Sequence, residues 1–95
     1  MTQPKTKQIL DIKDDPSLKE AQAFVGGYVE MVRVGDGILL VNEEAKLQGL
    51  PINDWASVKY EKEYADAYVS SWDVPTIDGN AIYIPNTLTK SQWFS

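Results

Sequence analysis

The sequence predicts an α+β domain: a small, mainly antiparallel sheet with two helices, in the order β-α-β-β-α-β-β. Three observations predict it. Short stretches that alternate apolar and polar residues (QILDIK, YVEMVRV), and short apolar runs (ILLV, AIYI), lie between turn signals rich in Gly, Asp and Pro. Two other segments space their apolar residues for a helix. The 95 residues, 43% of them hydrophobic, suffice for one modest core and not for a core plus a deep substrate cavity.

The elements follow in order. Residues 1–7 are polar and read as a flexible leader to a single domain over 8–85, with 86–95 as a tail. Gln8–Lys13 reads as the first strand. In DDPSLKEAQAFVGG, Asp15 is the expected N-cap, Pro16 suits the first turn, and Glu20 faces the positive end of the helix dipole. Leu18, Ala21, Phe24 and Val25 share one apolar face, and Gly26-Gly27 ends the helix through a left-handed residue.

Tyr28–Val34 carries apolar groups on both sides and reads as a central strand. Gly35-Asp36-Gly37 turns it into Ile38–Val41, with Asp36 and Gly37 expected at positive φ. Asn53 or Asp54 opens a second helix, on which Ala56, Tyr60, Tyr64 and Tyr68 recur every four residues. Trp72–Val74 and Ala81–Ile84 read as the last strands, separated by a turn at Asp78-Gly79. The tail has no period, but Trp93 and Phe94 give it something to dock with. Both helices are expected on one face of the sheet.

Composition excludes several kinds of chemistry. With no Cys and no His, there is no disulfide, thiol nucleophile, imidazole base or ordinary structural zinc site. No cofactor is implied. A net charge of −5 repels nucleic-acid phosphates, so no nucleic-acid partner is expected. The polar N-terminus and the absence of a long apolar run point to no membrane and a cytoplasmic location.

The connector VNEEAKLQGLPIN (41–53) is the one place where carboxylates, a lysine and a glycine-proline turn crowd together. Glu43 and Glu44 are neighbours, so in extended chain they diverge and converge poorly on a substrate or metal. Lys46 reads as a solvated charge beside acids. Asn42 is suited to bonding the turn backbone, and Gly49-Leu50-Pro51 to shaping it. Gly26-Gly27 follows a helix rather than a strand, so it is not half of a dinucleotide fingerprint.

Residues 18–53 also carry a resemblance. Val25-Gly26-Gly27-Tyr28 at the end of a short helix, Val41-Asn42-Glu43-Glu44 closing a hairpin, and Gly49-Leu50-Pro51-Ile52-Asn53 are similar to the motifs of a small domain family of phages, plasmids and their bacterial hosts, domain of unknown function 3846. Asp78-Gly79-Asn80 matches the family's closing strand more loosely. The resemblance implies a fold and a mobile-element origin, and no activity.

Ten aromatic residues are many for this length, and tyrosine offers wide contact area at low entropic cost. The tyrosine stripe is either core or recognition face. The expected function is therefore a small non-enzymatic, phage-encoded protein that binds and modulates a host or phage protein, with inhibition of a host process or antiviral defence suggested by analogy. The expected contacts are Tyr60, Tyr64, Tyr68, Trp72 and Trp93, with a homo-oligomer as a further use of the same surface. A small-ligand or nucleotide-sequestering protein is the alternative, and a carboxylate-based enzyme a distant third.

Overall fold

The computed structural model describes residues 3–64 and 75–94. Its elements are β1 (Thr6–Gln8), α1 (Leu18–Val25), β2 (Val29–Val34), β3 (Gly37–Asn42), α2 (Asp54–Tyr64) and β4 (Ala81–Pro85), with 3-10 turns at Ile12–Asp14 and Gln92–Phe94. The fold is α+β. The four strands form one sheet in the order β1-β4-β3-β2, antiparallel except that β1 runs parallel to β4. The sheet is thus mixed.

The uninterrupted apolar runs occupy the centre. Every residue of β3 is buried, as are Ala81–Ile84 of β4. A strand covered on both faces needs this continuous pattern. β2, expected at the centre, is an edge strand, because Glu30, Met31 and Arg33 are exposed and a doubly covered strand has no room for such charges. Its hairpin with β3 forms as expected, Val34 pairing with Gly37 and Val29 with Asn42. The first strand lies further toward the N-terminus than the alternation suggests. Thr6 pairs with Ala81, whereas Asp11 accepts from Lys13 N at 3.0 Å and turns the chain into a 3-10 turn.

Local signals explain most helix ends. Gly26 caps α1 at φ 84°, as expected. The N-cap is Ser17 rather than Asp15: Ser17 Oγ accepts from Glu20 N, and Glu20 Oε1 accepts from Ser17 N, a reciprocal capping box. Asp15 is used elsewhere, accepting from Ser91 Oγ at 2.5 Å and Gln92 N at 3.0 Å.

The hairpin turn differs from expectation too. Among the described residues, only Gly26, Gly49 and Gly79 have positive φ. Gly37 serves close approach instead of φ: a Cβ there would lie 2.9 Å from Pro85 Cα and as close to the Tyr83 ring. The loop is clasped by the end of β4, with Asn86 N donating to Asp36 O at 2.9 Å.

The two helices lie on opposite faces, not on one. Ile38 and Leu40 of β3 point with Ile82 and Ile84 of β4 toward α1, where they meet Ala21 and Phe24. Leu39 and Val41 point the other way, with Ala81 and Tyr83, toward Ala56 and Tyr60 of α2. Since β3 is apolar on both sides, each side requires a cover, and one short helix cannot supply both. The tail completes the α1 side. Leu88, Trp93 and Phe94 pack against that cluster, and Trp93 Nε1 donates to Pro16 O at 2.9 Å.

Candidate functional site

The connector 41–53 is held by two buried asparagines. Asn42 Oδ1 accepts from Glu44 N at 2.8 Å, and its Nδ2 donates to Val25 O and Gln48 Oε1. It thereby closes its own turn and the C-terminus of α1. A side chain on Gly27 would press on it, a Cβ there lying 3.1 Å from Asn42 Oδ1. Asn53 caps α2 by accepting from Ala56 N at 3.0 Å, while its Nδ2 donates to Gly79 O and Thr6 Oγ1.

The charged residues of the connector do not converge on a substrate. Glu43 and Glu44 are exposed. Lys46 Nζ donates to Thr76 O, Thr76 Oγ1 and Asp78 Oδ2 at 3.0–3.1 Å, which ties the connector to the segment before β4. Among the described residues, no three acidic side chains gather as ligands for a metal.

The aromatic residues singled out from the sequence are dispersed. Tyr60 is partly buried against the α2-side core, and its ring lies 4.6 Å from that of Tyr64. Tyr64 Oη donates to Arg33 O on β2 at 2.6 Å. Tyr60 and Tyr64 therefore face the sheet. Trp93 is on the opposite face of the sheet, anchored to Pro16. Tyr68 and Trp72, with the strand expected at Trp72–Val74, lie outside the described residues.

A different stripe of α2 faces outward. Ile52, Trp55 and Val58 are 49%, 36% and 51% exposed. Trp55 and Val58, spaced by three, lie on one side of the helix, and Ile52 precedes its entry in a bridge with Asp78. An open groove of about 400 Å³ runs along Asp54, Trp55, Val58, Lys59 and Lys62. The indole is set edge-on to Tyr83, 5.4 Å between ring centres. Lys59 Nζ sits 5.4 Å from the Trp55 ring centre and 4.8 Å from that of Tyr83, and it pairs with Asp36 at 2.7 Å.

These contacts shift two acids. The hydrogen bond from Lys59 holds Asp36 below the usual carboxylate range, while Tyr83 Oη donates to the Asp36 main-chain carbonyl at 3.1 Å. Burial, reinforced by the adjacent Asp36, pushes the Tyr83 phenol up to about 12. Tyr83 is therefore neutral and Asp36 charged at neutral pH, and the cluster acts as a clasp between α2 and the hairpin.

Sequence reasoning missed this stripe because Tyr60 and Tyr64 dominated the helical period. The spacing of Ile52, Trp55 and Val58 was the available signal. Chemically the face offers apolar area flanked by lysine, suited to docking and without a nucleophile–base pair.

No helix among the described residues is long and apolar enough to cross a membrane. No curated protein and no solved structure matches the chain. The family described as Domain of unknown function (DUF3846) matches residues 1–82, which include all three motifs of the connector and its flanks as well as both helices. The match extends through most of the chain, and the chain belongs to that family.

Proposed function

We propose that this is a small non-enzymatic protein that binds and modulates another protein, of a host or of a phage, in the host cytoplasm. The observation that supports this reading best is the outward pair Trp55 and Val58 on α2, with exposed Ile52 just before the helix, an apolar ridge with lysines at its border. Exposed aromatic and aliphatic groups on a braced helix form the usual centre of a docking surface. A phage origin and an inhibitory role, including inhibition of an antiviral defence, follow by analogy with mobile-element proteins.

The test compares two tagged proteins in host lysate, the native chain and Val58→Glu. Val58 is half exposed, so this change places a charge on the ridge without emptying the core. The expected result is one specific partner retained by the native chain and lost by the variant. Equal retention by both, or no specific partner for the native chain, overturns the reading. Size-exclusion chromatography of the same pair tests whether the ridge joins two copies of the chain.

A second reading, a small-ligand or nucleotide binder, draws on Trp55 beside Lys62 in the same groove. A base stacked on the indole, with its phosphate near Lys62, is the geometry it requires. Lys59 contributes less, being committed to Asp36. Thermal shift with millimolar nucleotides decides it, since absence of stabilisation removes the reading.

A further inference from the structure

On another part of the surface, two motifs distant in sequence meet at one trough. Gln22 and Gly27 at the end of α1, Tyr28 at the start of β2, and Glu44 and Gln48 in the connector line an open depression of about 440 Å³. Its walls are fixed by one backbone bond and one side-chain bond: Tyr28 O accepts from Glu43 N at 2.8 Å, and Glu44 N donates to Asn42 Oδ1 at 2.8 Å. Tyr28 as a residue is 67% exposed although its carbonyl is bonded to Glu43 N. An adjoining trough of about 400 Å³ shares Gln48 and continues past Phe24 and Leu50.

The two linings together contain a single charged residue, Glu44, and no lysine or arginine. Lys46, close by in the chain, is turned to Thr76 and Asp78. An exposed phenol face and an unopposed carboxylate suit a flat cation that stacks on one and donates to the other. A guanidinium does both, whereas an ammonium does only part. The net charge of −5 draws such a group in.

We propose that this trough receives an arginine side chain from an extended basic segment of a partner protein. The inference rests on the protein-binding reading only in assigning the arginine to a partner. The trough itself is independent of the α2 ridge.

The probe is a short peptide of alternating Gly and Arg, titrated into the intact 95-residue chain and followed by amide chemical shifts. Saturable shifts are expected at Gly27, Tyr28, Glu44 and Gln48, with a Gly-Lys peptide binding more weakly and a Gly-Gln peptide not at all. Tyr28→Ala is expected to weaken the Gly-Arg peptide about threefold, and Glu44→Lys to abolish its binding. Both side chains are exposed, so both variants keep the fold. Shifts scattered over every acidic surface, or binding unchanged in Glu44→Lys, overturn the proposal. Because Val58→Glu leaves the trough intact, a failure of the α2 ridge and a failure of the trough give different results.

Discussion

The two faces of the sheet are covered in different ways. On the α1 side, an eight-residue helix closed by a capping box and a left-handed glycine is backed by the tail. Gln92 Nε2 and Trp93 Nε1 both donate to Pro16 O, and Asp15 holds Ser91 and Gln92 N. On the α2 side, an eleven-residue helix is fastened by partners far away in the chain: Asn53 to Gly79 and Thr6, Lys59 to Asp36, and Tyr64 to Arg33. It also carries exposed apolar groups outward. The lesson is that both covers are pinned by distant contacts and differ in their backing: the tail packs against the α1-side core, whereas α2 keeps Trp55 and Val58 exposed.

Core truncation gives the largest expected effect and tests whether the two covers are equally tight. Leu40 faces α1 and Leu39 faces α2, and both are fully buried. Leu40→Ala and Leu39→Ala are each expected to cost about 3 kcal/mol in urea unfolding. A loss well under 1 kcal/mol at Leu39 alone breaks the comparison, because it means that α2 does not seal its face.

The asparagines come next. Asn42→Ala strands Glu44 N and Val25 O, and Asn53→Ala removes the α2 cap and frees Gly79 O. Each is expected to cost about 2 kcal/mol. Hydrogen exchange sharpens the result: Asn53→Ala should expose α2 amides first, and Asn42→Ala those at the end of α1. Ser17→Ala, which removes one half of the capping box, is expected to cost about 1 kcal/mol by the same unfolding assay.

The clasp on the α2 side gives the smallest effect at neutral pH. Lys59→Met, which keeps the apolar stem, is expected to change stability by less than about 1 kcal/mol, since Asp36 is largely exposed. Its pH dependence is more telling. Tyr83 ionises at about 12 when folded and at 10.0 ordinarily, so above pH 10.0 the unfolded chain loses a proton that the folded chain retains. Stability present below pH 10.0 is therefore lost as pH rises toward 12. Asp36 has the opposite sign: its contribution is present above its ordinary value of 3.8 and lost as pH falls below it. Tyrosinate absorbance during alkaline titration should show a late-titrating component that is lost in Tyr83→Phe.

Much of the local structure was legible. The β2–β3 hairpin follows from two apolar runs around Gly-Asp-Gly, and the end of α1 from Gly26-Gly27. Asn42 and Asn53 were recognisable because a side-chain amide at the head of a turn or helix bonds backbone two or three residues on. The cap of α1 was misplaced by two residues because Asp15 and Ser17 are both good caps, and only the tail's claim on Asp15 separates them. At the candidate site, Tyr60 and Tyr64 were visible as a stripe, but helical period alone does not say which side of a helix meets a sheet.

By itself, the sequence determined the two helices, the hairpin, the glycine that ends α1 and the asparagine turns, because each depends on torsions and bonds within a few residues. It also bounded the chemistry: without Cys or His, neither thiol nor imidazole acts here. Only the tertiary structure decided that β3 and β4 are central, that β1 runs parallel to β4, and that α1 and α2 cover opposite faces. It alone turned Trp55 and Val58 outward and brought Tyr28 beside Glu44. These outcomes depend on pairings between distant residues, whose strength is set by the whole buried core and by no single segment.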